Sequence, residues 1–370
     1  MKSISLDLLE NLLKIYSPTG RESSLSLYLE KELESRGFHV ERDELGNVTA
    51  EAGSGRPHIL LCGHMDTVPG RIKVRCRDGK MYGRGAVDAK GPLAAMITAA
   101  TQAMQDRLCK VTLAAVVDEE GEGKGVKSLV ERKNLNPDYV VFGEPSGVDG
   151  VIIGYKGSLT LKLICKTRTG HSAAPWLYKN AVEEAYRAWE LIRGMRFEGE
   201  VEGSRFYSVT KCLTKIKGGG DYSVVPGKCE LKVDLRLPPK MSPEEIFVRI
   251  KEKIMEGQKL ENVKFHISVE GGVKAYESSK NNPLINAFSI AIRKVLTRRP
   301  VLLKKTGTSD MNLMAEAYKA PMIAYGPGNS KLDHSPEEHV EIQEYERSVE
   351  VYREALRLLK ALHERVHLQP

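Results

Sequence analysis

The sequence predicts an α/β fold: a main domain with a mixed, mostly parallel sheet, interrupted by an inserted α+β domain of ferredoxin-like (βαββαβ) topology. Residues 1–154 alternate helical periodicity with continuous apolar runs such as VTLAAVV (111–117), which are typical of parallel strands buried on both faces. Residues 155–275 instead show strands and two helices in the order βαββαβ. Because the first pattern resumes after residue 275, we interpret the central segment as an insertion.

The length of 370 residues exceeds the usual size of one domain, which is consistent with this division. We expect residues 1–154 and 276–370 to form the main domain and residues 155–275 the inserted one. No apolar run approaches the ~18 residues of a membrane span, and the amphipathic N-terminus carries acids where a signal peptide has basic residues. We therefore expect a cytoplasmic protein that does not contact a membrane.

Periodicity and turn residues predict the elements of the main domain. Ser17 and Thr19 are candidate N-caps for the predicted helix 22–36, and Asp78-Gly79 is a candidate turn. Helices are predicted at 22–36, 90–106, 283–297, 311–318 and 341–365, strands at 39–43, 47–51, 58–62, 111–117, 139–143 and 321–325, and a hairpin at 72–82.

The inserted domain carries all of the formal excess charge. Of the net +7, residues 155–275 contribute 22 Lys and Arg against 15 Asp and Glu, while the remainder holds 34 of each. The excess indicates either a solvated lysine-rich surface or a surface that attracts an acidic partner. No dense basic run interleaved with aromatic residues occurs, so nucleic acid is not an expected partner. The elements predicted here are strand 158–166, helix 178–194, strands 206–215 and 229–236, helix 242–255 and strand 263–270.

Acids and a histidine follow several predicted strands at the point where each apolar run ends. In open α/β sheets, ligands bind beyond the carboxyl ends of the strands, and histidine and carboxylate are the donors that a hydrolytic Zn²⁺ or Co²⁺ centre uses. The pattern therefore predicts a two-metal hydrolase. Its candidate residues are His64, Asp88, Glu119, Glu120 and Glu144, with His334 far downstream.

His64 and Asp88 are the first two candidates. Asp66 is two residues after His64, so its carboxylate can accept the second N–H of a ligating imidazole. Asp88 lies in a glycine-rich turn that would let a carboxylate bridge two cations. The alternative for Asp88 is a cap on the helix that starts near Lys90, and a lone histidine after a strand is often structural.

Adjacent Glu119 and Glu120 would repel each other unless a cation or a proton separates their roles. One can bind metal while the other accepts a proton from water; the alternative is a solvated acidic turn. Glu144 precedes a stiff Pro-Ser turn. His334 lies in a Gly-, Pro- and Ser-rich loop that suits a ligand, and it is favoured over its neighbour His339.

At this point the chain resembles peptidase family M20, a family of zinc-dependent aminoacylases, carboxypeptidases and deacylases. The resemblance covers nearly the whole chain and implies a catalytic domain in two halves with an inserted lid domain that mediates homodimers. Five motifs match in order: GHMDTVP, YGRGAVDAKGP, VVDEEGEG, FGEPS and LDHSPEE.

The resemblance also implies residue roles and two divalent ions, Zn²⁺ or Co²⁺, per subunit. Glu119 matches the general base and Asp66 the residue that holds His64. The implied ligands are His64, Asp88 and Glu144 for one metal and Asp88, Glu120 and His334 for the other, with Asp88 bridging.

Three residues of the inserted domain match by position. His171 resembles a histidine that stabilises the oxyanion, often from the partner subunit; the alternative is a structural histidine at a helix end. Arg236 resembles an arginine that binds a substrate carboxylate, with a strand-surface salt bridge as its alternative. Ser223 stands where such proteins commonly have asparagine, so it is a weaker candidate substrate contact.

Within the family, the closest resemblance is to archaeal hydrolases that release lysine or ornithine from the terminal glutamate of an acidic amino-group carrier protein (LysW-type), in lysine and arginine biosynthesis. The stretches TVPGRIKV, KTGTSDMN and IAYGPGNSKLDH carry it. The expected function is therefore hydrolysis of that amide. The alternatives are an N-acyl amino acid deacylase or dipeptidase, and, from another class, a catalytically silent binding protein.

Overall fold

The computed structural model describes residues 4–132, 135–256 and 263–367. The helices in these ranges, in chain order, are α1 (Ile4–Lys14), α2 (Ser23–Ser35), α3 (Lys90–Gln105), α4 (Lys124–Glu131), α5 (Ala181–Gly194), α6 (Pro243–Glu256), α7 (Pro283–Leu296), α8 (Asp310–Ala317) and α9 (Ile342–His367). None of the described helices has the length and apolar content of a transmembrane segment.

The strands in the same ranges are numbered along the chain. They are β1 (His39–Arg42), β2 (Val48–Ala52), β3 (His58–His64), β4 (Arg75–Arg77), β5 (Lys80–Tyr82), β6 (Lys110–Val116), β7 (Tyr139–Gly143), β8 (Gly150–Tyr155), β9 (Gly157–Lys166), β10 (Thr210–Gly218), β11 (Lys228–Leu237), β12 (Lys264–Val273), β13 (Tyr276–Glu277), β14 (Val301–Lys305), β15 (Met322–Tyr325) and β16 (His339–Glu341).

The chain forms two compact units. The first comprises Met1–Gly154, Ser278–Lys304 and Ser309–Pro370, and the second comprises Tyr155–Glu277 with Lys305–Thr308. The short segment Lys305–Thr308 belongs to the second unit although it is distant in sequence. The carbonyl of Lys305 accepts a hydrogen bond from the amide of Lys156.

The first unit is built on a nine-stranded sheet in the order β1-β2-β6-β3-β7-β15-β8-β13, with β14 paired to β8. Its four central strands, β6, β3, β7 and β15, are parallel. The flanking strands β2 and β8 run antiparallel to them, and β1 pairs antiparallel with β2. Every residue of β3 and β7 is buried, as continuous apolar strands between layers of helices must be. The predicted mostly parallel sheet is confirmed, and its strands converge with their carboxyl ends at one edge.

A small second sheet, in the order β16-β5-β4, belongs to the same unit. Strands β4 and β5 form the predicted hairpin, which turns at Asp78 and Gly79 with positive φ angles of 50° and 74°. Paired positive φ angles define the tight turn that favours Asp-Gly. Strand β16 follows the His334 loop and pairs with β5, which brings that loop back to the turn before Asp88.

The second unit has the element order β9-α5-β10-β11-α6-β12 and one antiparallel sheet in the order β10-β11-β9-β12. This is the βαββαβ order that the sequence predicts. Alternate residues of β9 and β11 are buried beneath α5 and α6, while the other face carries charged side chains. Lys162, Lys215 and Lys232 of that face form ion pairs with Glu230 and Glu270.

The N-cap prediction for Ser17 and Thr19 is wrong. Helix α2 begins at Ser23, and its N-cap is Glu22, whose side chain makes no capping hydrogen bond. The Ser17 hydroxyl donates instead to the Met65 carbonyl, and the Thr19 hydroxyl donates to the Asp66 carboxylate. Both hydroxyls therefore stabilise the loop after β3. Their acceptors are distant in sequence, and they bind these acceptors rather than capping helix α2.

Candidate metal centre

The candidate ligands converge at the carboxyl edge of the parallel strands. His64 is the last residue of β3, Glu144 follows β7 directly, and Glu119 and Glu120 come shortly after β6. These strands are neighbours in the sheet, so short extensions beyond their ends bring the side chains together. The ends of these buried strands therefore determine where the candidate ligands lie.

Two groups of potential metal ligands form at this edge, and they share Asp88. The first group is His64, Asp88 and Glu144, and the second is Asp88, Glu120 and His334; the ligand atoms within each group lie within 4.8 Å of one another. Each oxygen of Asp88 approaches a different imidazole: Oδ1 lies 3.1 Å from His64 Nε2, and Oδ2 lies 3.2 Å from His334 Nε2. Asp88 thus has the position of a bridging carboxylate.

The crowding of carboxylates at this site shifts their pKa values. Desolvation, together with the charges of Asp88, Asp310 and Glu120, raises the pKa of Glu144 to about 8. The pKa of Glu120 is also raised, first by desolvation and then by Asp88. Desolvation opposes ionisation of Asp88, yet hydrogen bonds from His334 and His64 hold its pKa below the usual value.

Buried carboxylates of this density are stable as anions only when cations neutralise them. The donor set consists of carboxylate oxygens and imidazole nitrogens, which are the ligands of Zn²⁺ and Co²⁺ in hydrolytic sites. Asp88 shared between two groups matches the carboxylate of a two-metal site. The residues present therefore fit two divalent cations.

Glu119 differs from Glu120 although the two are neighbours. The Glu120 carboxylate lies 2.8 Å from His334 Nε2, whereas Glu119 belongs to neither ligand group. Desolvation raises the pKa of Glu119 well above its usual value, and the charges of Glu144, Asp310 and Asp88 raise it further. A carboxyl group next to a metal site but outside its ligand set is suited to accept and return a proton.

Asp66 orients this pair of glutamates through their backbone. Its Oδ1 and Oδ2 accept hydrogen bonds from the amides of Glu119 and Glu120 at 3.0 and 3.1 Å. The expected contact with His64 is looser, since His64 Nδ1 lies 3.4 Å from Asp66 Oδ1 but 3.0 Å from the Asp66 carbonyl oxygen. Thr19 also donates to Asp66, at 2.9 Å. Asp66 thus holds the β6 loop at least as firmly as it holds the imidazole.

Glu338 was not singled out by sequence reasoning, yet it organises the Asp88 turn. Its side chain is fully buried, and Oε1 accepts hydrogen bonds from the amides of Gly85, Val87 and Asp88 at 3.1, 2.9 and 3.0 Å. Oε2 forms an ion pair with Arg84 at 2.7 Å. Because Glu338 lies four residues after His334, it connects the segments of Asp88 and His334, two of the three that supply the second ligand group. The only sequence signal was an acid in the motif LDHSPEE.

Asp310 is a second residue that the sequence analysis did not assign. It is the first residue of α8 and only 4% exposed, and its Oδ2 has no hydrogen-bond partner among the described residues. Desolvation, with the charges of Asp66 and Asp118, raises its pKa to about 7. Its segment GTSD (307–310) has the residue types of a turn, and such a pattern does not indicate how deeply a residue is buried.

The three candidates of the inserted domain lie in the second unit. His171 and Ser223 occupy paired loops, where the Ser172 amide donates to the Ser223 carbonyl and His171 bridges to Val224; both side chains are exposed. Arg236 lies on β11, and its Nε donates to Asp234 at 2.9 Å. The salt bridge considered as its alternative is therefore present. The roles of these residues toward substrate stay predictions.

The shifted pKa values predict how the metal-free protein responds to pH. The pKa of His334 is raised to about 9, mainly by its hydrogen bond with Asp88, and that of Glu144 to about 8. A folded-state pKa above the unfolded value contributes stability at low pH that is lost as pH rises through the folded value. The stability that protonated His334 and Glu144 contribute to the metal-free protein is therefore lost as the pH rises from about 5 to about 9.

We expect the Tm of the metal-free protein to be lower at pH 8.5 than at pH 5.5 by about 1 °C or more, since roughly 1 kcal/mol shifts the Tm of a chain of this size by about 1 °C. Adding Zn²⁺ or Co²⁺ at pH 8.5 should raise the Tm, because cations favour the ionised carboxylates. Differential scanning calorimetry measures both effects. A Tm of the chelated protein that is equal or higher at pH 8.5 would contradict the expectation.

The chain is similar to known proteins over most of its length. The model of peptidase family M20/M25/M40 matches residues 60–358. A putative [LysW]-lysine/[LysW]-ornithine hydrolase of Pyrococcus furiosus is 38% identical over 351 residues, which are 95% of this chain and 96% of that protein. The [LysW]-lysine hydrolase of Deinococcus radiodurans is 34% identical over 358 residues, 95% of each chain.

Solved structures share the fold. Aminopeptidase PepT from Bacillus cereus superposes with a TM-score of 0.82 at 19% identity, covering 96% of this chain and 98% of that one. The YXEP protein of Bacillus subtilis, described as a dinuclear metal-binding peptidase, has a TM-score of 0.76 at 14% identity, with 97% and 98% coverage. At these identities the likeness concerns the fold alone.

Proposed function

We propose, from the premise that this chain belongs to peptidase family M20/M25/M40, that it releases L-lysine, L-ornithine or both from the terminal glutamate of an acidic amino-group carrier protein of the LysW type. The observation that carries the reaction class is the pair of ligand groups that share Asp88, with Glu119 beside them. The substrate follows from relatives that are named for it and that align over nearly their whole length.

His64, Asp88 and Glu144 would hold one divalent ion, and Asp88, Glu120 and His334 the other. Zn²⁺ or Co²⁺ are the ions we propose. When bound, such ions supply Lewis acidity, which polarises a carbonyl group and lowers the pKa of water.

Glu119 would act as the general base and then as the general acid. It takes one proton from the attacking water, whose oxygen forms a bond to the amide carbon. When the C–N bond breaks, Glu119 returns that proton to the leaving amine, so the products are a free carboxyl group and a free amino acid. Asp66 keeps Glu119 in place through the backbone amides of Glu119 and Glu120.

The inserted domain would supply substrate contacts. We propose that His171 stabilises the developing oxyanion, and that Arg236 and Ser223 contact the substrate. We also propose that the protein forms a homodimer through this domain and that it is cytoplasmic. In this proposal residues 1–154 and 276–370 form the catalytic domain. Residues 155–275 form a domain that covers the bound substrate and mediates the dimer.

The decisive experiment compares substrates on metal-loaded enzyme. We expect kcat/KM for carrier-bound lysine or ornithine to exceed that for N-acetyl-lysine and N-acetylornithine by about 100-fold or more, because only the carrier adds protein–protein contacts. Released amino acid is quantified by chromatography. Faster turnover of the acetyl compounds would instead identify a small-molecule deacylase, and the absence of turnover on every amide would indicate a binding protein.

A further inference from the structure

Four basic residues form an exposed row on the first unit. Arg71, Lys73, Arg75 and Arg77, which we call the basic strip, are exposed, and they alternate in sequence with Ile72, Val74 and Cys76. Arg71 and Lys73 precede β4, whereas Arg75 and Arg77 lie within β4 and therefore project from the same side of that strand. The strip spans at most about 20 Å, and β4 is an edge of its sheet.

The charges of the strip are largely unneutralised. Among the described residues, Arg71, Lys73 and Arg75 form no ion pair, while Arg77 pairs only with its neighbour Asp78, at 3.0 Å. Two of the guanidinium groups stack on aromatic rings, Arg71 on Tyr16 and Arg75 on Tyr82, at 4.6 and 4.7 Å from the ring centroids. Stacking orients a guanidinium group but leaves its positive charge available to an anion.

The strip begins beside the candidate metal centre. It follows directly on the loop that carries His64 and Asp66, and the Gly70 carbonyl accepts a hydrogen bond from Arg84 Nε at 3.0 Å. The same guanidinium donates through Nη1 to the carbonyl of Ser335, at 3.1 Å, next to His334. One arginine therefore connects the start of the strip to a ligand-bearing loop.

A cavity of about 490 Å³ lies along the strip. Its lining includes five basic side chains and no carboxylate: Lys14, Arg71, Lys73, Arg84 and Lys90. Lys14 is paired with Glu10 and Arg84 with Glu338, and burial lowers the pKa of Lys90 to about 7. Arg71 and Lys73 therefore supply the free charge that favours acidic groups of a partner. By contrast, several lysines of the inserted sheet are already paired with Glu230 and Glu270 and so present less free charge.

We propose that the basic strip is the docking surface for the acidic carrier protein, so that the carrier's terminal glutamate enters the adjacent metal centre. This inference rests on the proposed function. Charged residues also protect sheet edges from aggregation, but β4 has only three residues and leaves little edge to protect. Nucleic acid fits the strip less well, since its bases find no exposed aromatic platform there: Tyr16 and Tyr82 are covered by arginine.

Removal of three charges tests the strip. The triple variant Arg71→Gln, Lys73→Gln, Arg75→Gln should lower kcat/KM for carrier-bound lysine by about 30-fold or more at low ionic strength, and the deficit should shrink in high salt. Turnover of γ-glutamyl-lysine, which contains the scissile amide without the carrier, should stay within about twofold of wild type. The matched control removes three exposed lysines of the second unit, by Lys166→Gln, Lys217→Gln and Lys228→Gln.

Two exposed cysteines provide a second measurement that leaves the basic strip unchanged. Cys76 lies within β4, and Cys212 lies on β10 of the second unit. With the inactive Glu119→Gln enzyme and loaded carrier, alkylation of Cys76 by iodoacetamide should slow by about threefold or more, while alkylation of Cys212 should not change. Mass spectrometry after proteolysis gives both rates.

The outcomes separate the two proposals. Wild-type enzyme that cleaves neither carrier-bound lysine nor γ-glutamyl-lysine would overturn the proposed function. Wild-type enzyme that cleaves the carrier, with equal activity of the strip variant or with an equal loss in the control variant, would overturn only the docking surface. Strip-dependent binding of duplex DNA with unchanged carrier turnover would also overturn it, as would protection of Cys212 in place of Cys76.

Discussion

Replacing Glu119 by glutamine should lower kcat by about 1,000-fold or more, because glutamine fills the same space but cannot accept a proton from water. The bound metal should be unchanged, since Glu119 lies outside both ligand groups. The hydrogen bonds from the Glu119 and Glu120 amides to Asp66 involve backbone atoms and should survive. Steady-state kinetics on carrier-bound lysine, with metal content from plasma mass spectrometry, measures both effects.

The exposed neighbour Glu122 is the control for this experiment. Glu122→Gln removes the same charge from the same loop and should leave kcat within about twofold, since surface substitutions remote from the reacting atoms have little effect. If Glu119→Gln retains most of the activity, the base is another residue. If it loses a metal ion, Glu119 is a ligand and its role must be exchanged with that of Glu120.

Replacement of Glu338 should produce the second large effect, on metal affinity. Glu338→Ala removes the acceptor of three buried amides and the partner of Arg84, and loss of one partner of a buried ion pair costs about 3–5 kcal/mol. The Asp88 turn should then lose its geometry. Because partners that orient metal ligands typically contribute 10–100-fold to affinity, we expect the Kd for Zn²⁺ to rise by about that factor.

Glu338→Gln provides a milder test if the alanine variant fails to fold. Glutamine can still accept from the turn amides, but its NH₂ group must face the Arg84 guanidinium, so an intermediate loss of affinity is expected. Glu337→Gln, one residue away and exposed, is the matched control and should bind metal like wild type. Titration calorimetry on the chelated proteins gives the affinities. A normal zinc affinity in both Glu338 variants would rule out the positioning role.

The sequence was most informative about side chains whose position follows directly from the end of a buried strand. His64 and Glu144 could each be placed at the end of a buried strand, because period and burial specify where such strands end. That they belong to one ligand group was implied by the resemblance to the family. The βαββαβ order of the second unit was predictable for a similar reason, since its alternating strands and amphipathic helices have distinct periods. The glycine-rich turn favoured a bridging role for Asp88, and the resemblance to the family implied the two histidines with which it shares ligand groups.

Contacts to backbone groups could not be predicted in the same way. Glu338 binds three amides, and Asp66 binds two, but the direction of an N–H group depends on φ and ψ angles that side-chain patterns do not record. Thr19 looked like a helix cap because the pattern contains no information on the distant Asp66 carboxylate. Asp310 was missed because the residue pattern of a turn does not reveal its burial.

Net charge was similarly incomplete as a guide to the surface. The count assigned the whole excess to residues 155–275, where acids on the same sheet face neutralise several lysines. Residues 71–77 lie in a part of the chain whose total charge is zero, yet their cations are exposed and mostly unpaired. Electrostatic attraction at short range depends on pairing and exposure, which a sum over the sequence does not contain.

The shared position of Asp88 has a consequence for protein synthesis. All three residues of the first ligand group emerge from the ribosome before residue 155, whereas the second group is incomplete until His334 appears, roughly 190 residues after Glu144. Strand β15, which lies between β7 and β8, also comes from this late segment. A nascent chain that has not yet reached His334 therefore lacks a complete second ligand group, so the site can hold two ions only after that residue has been added.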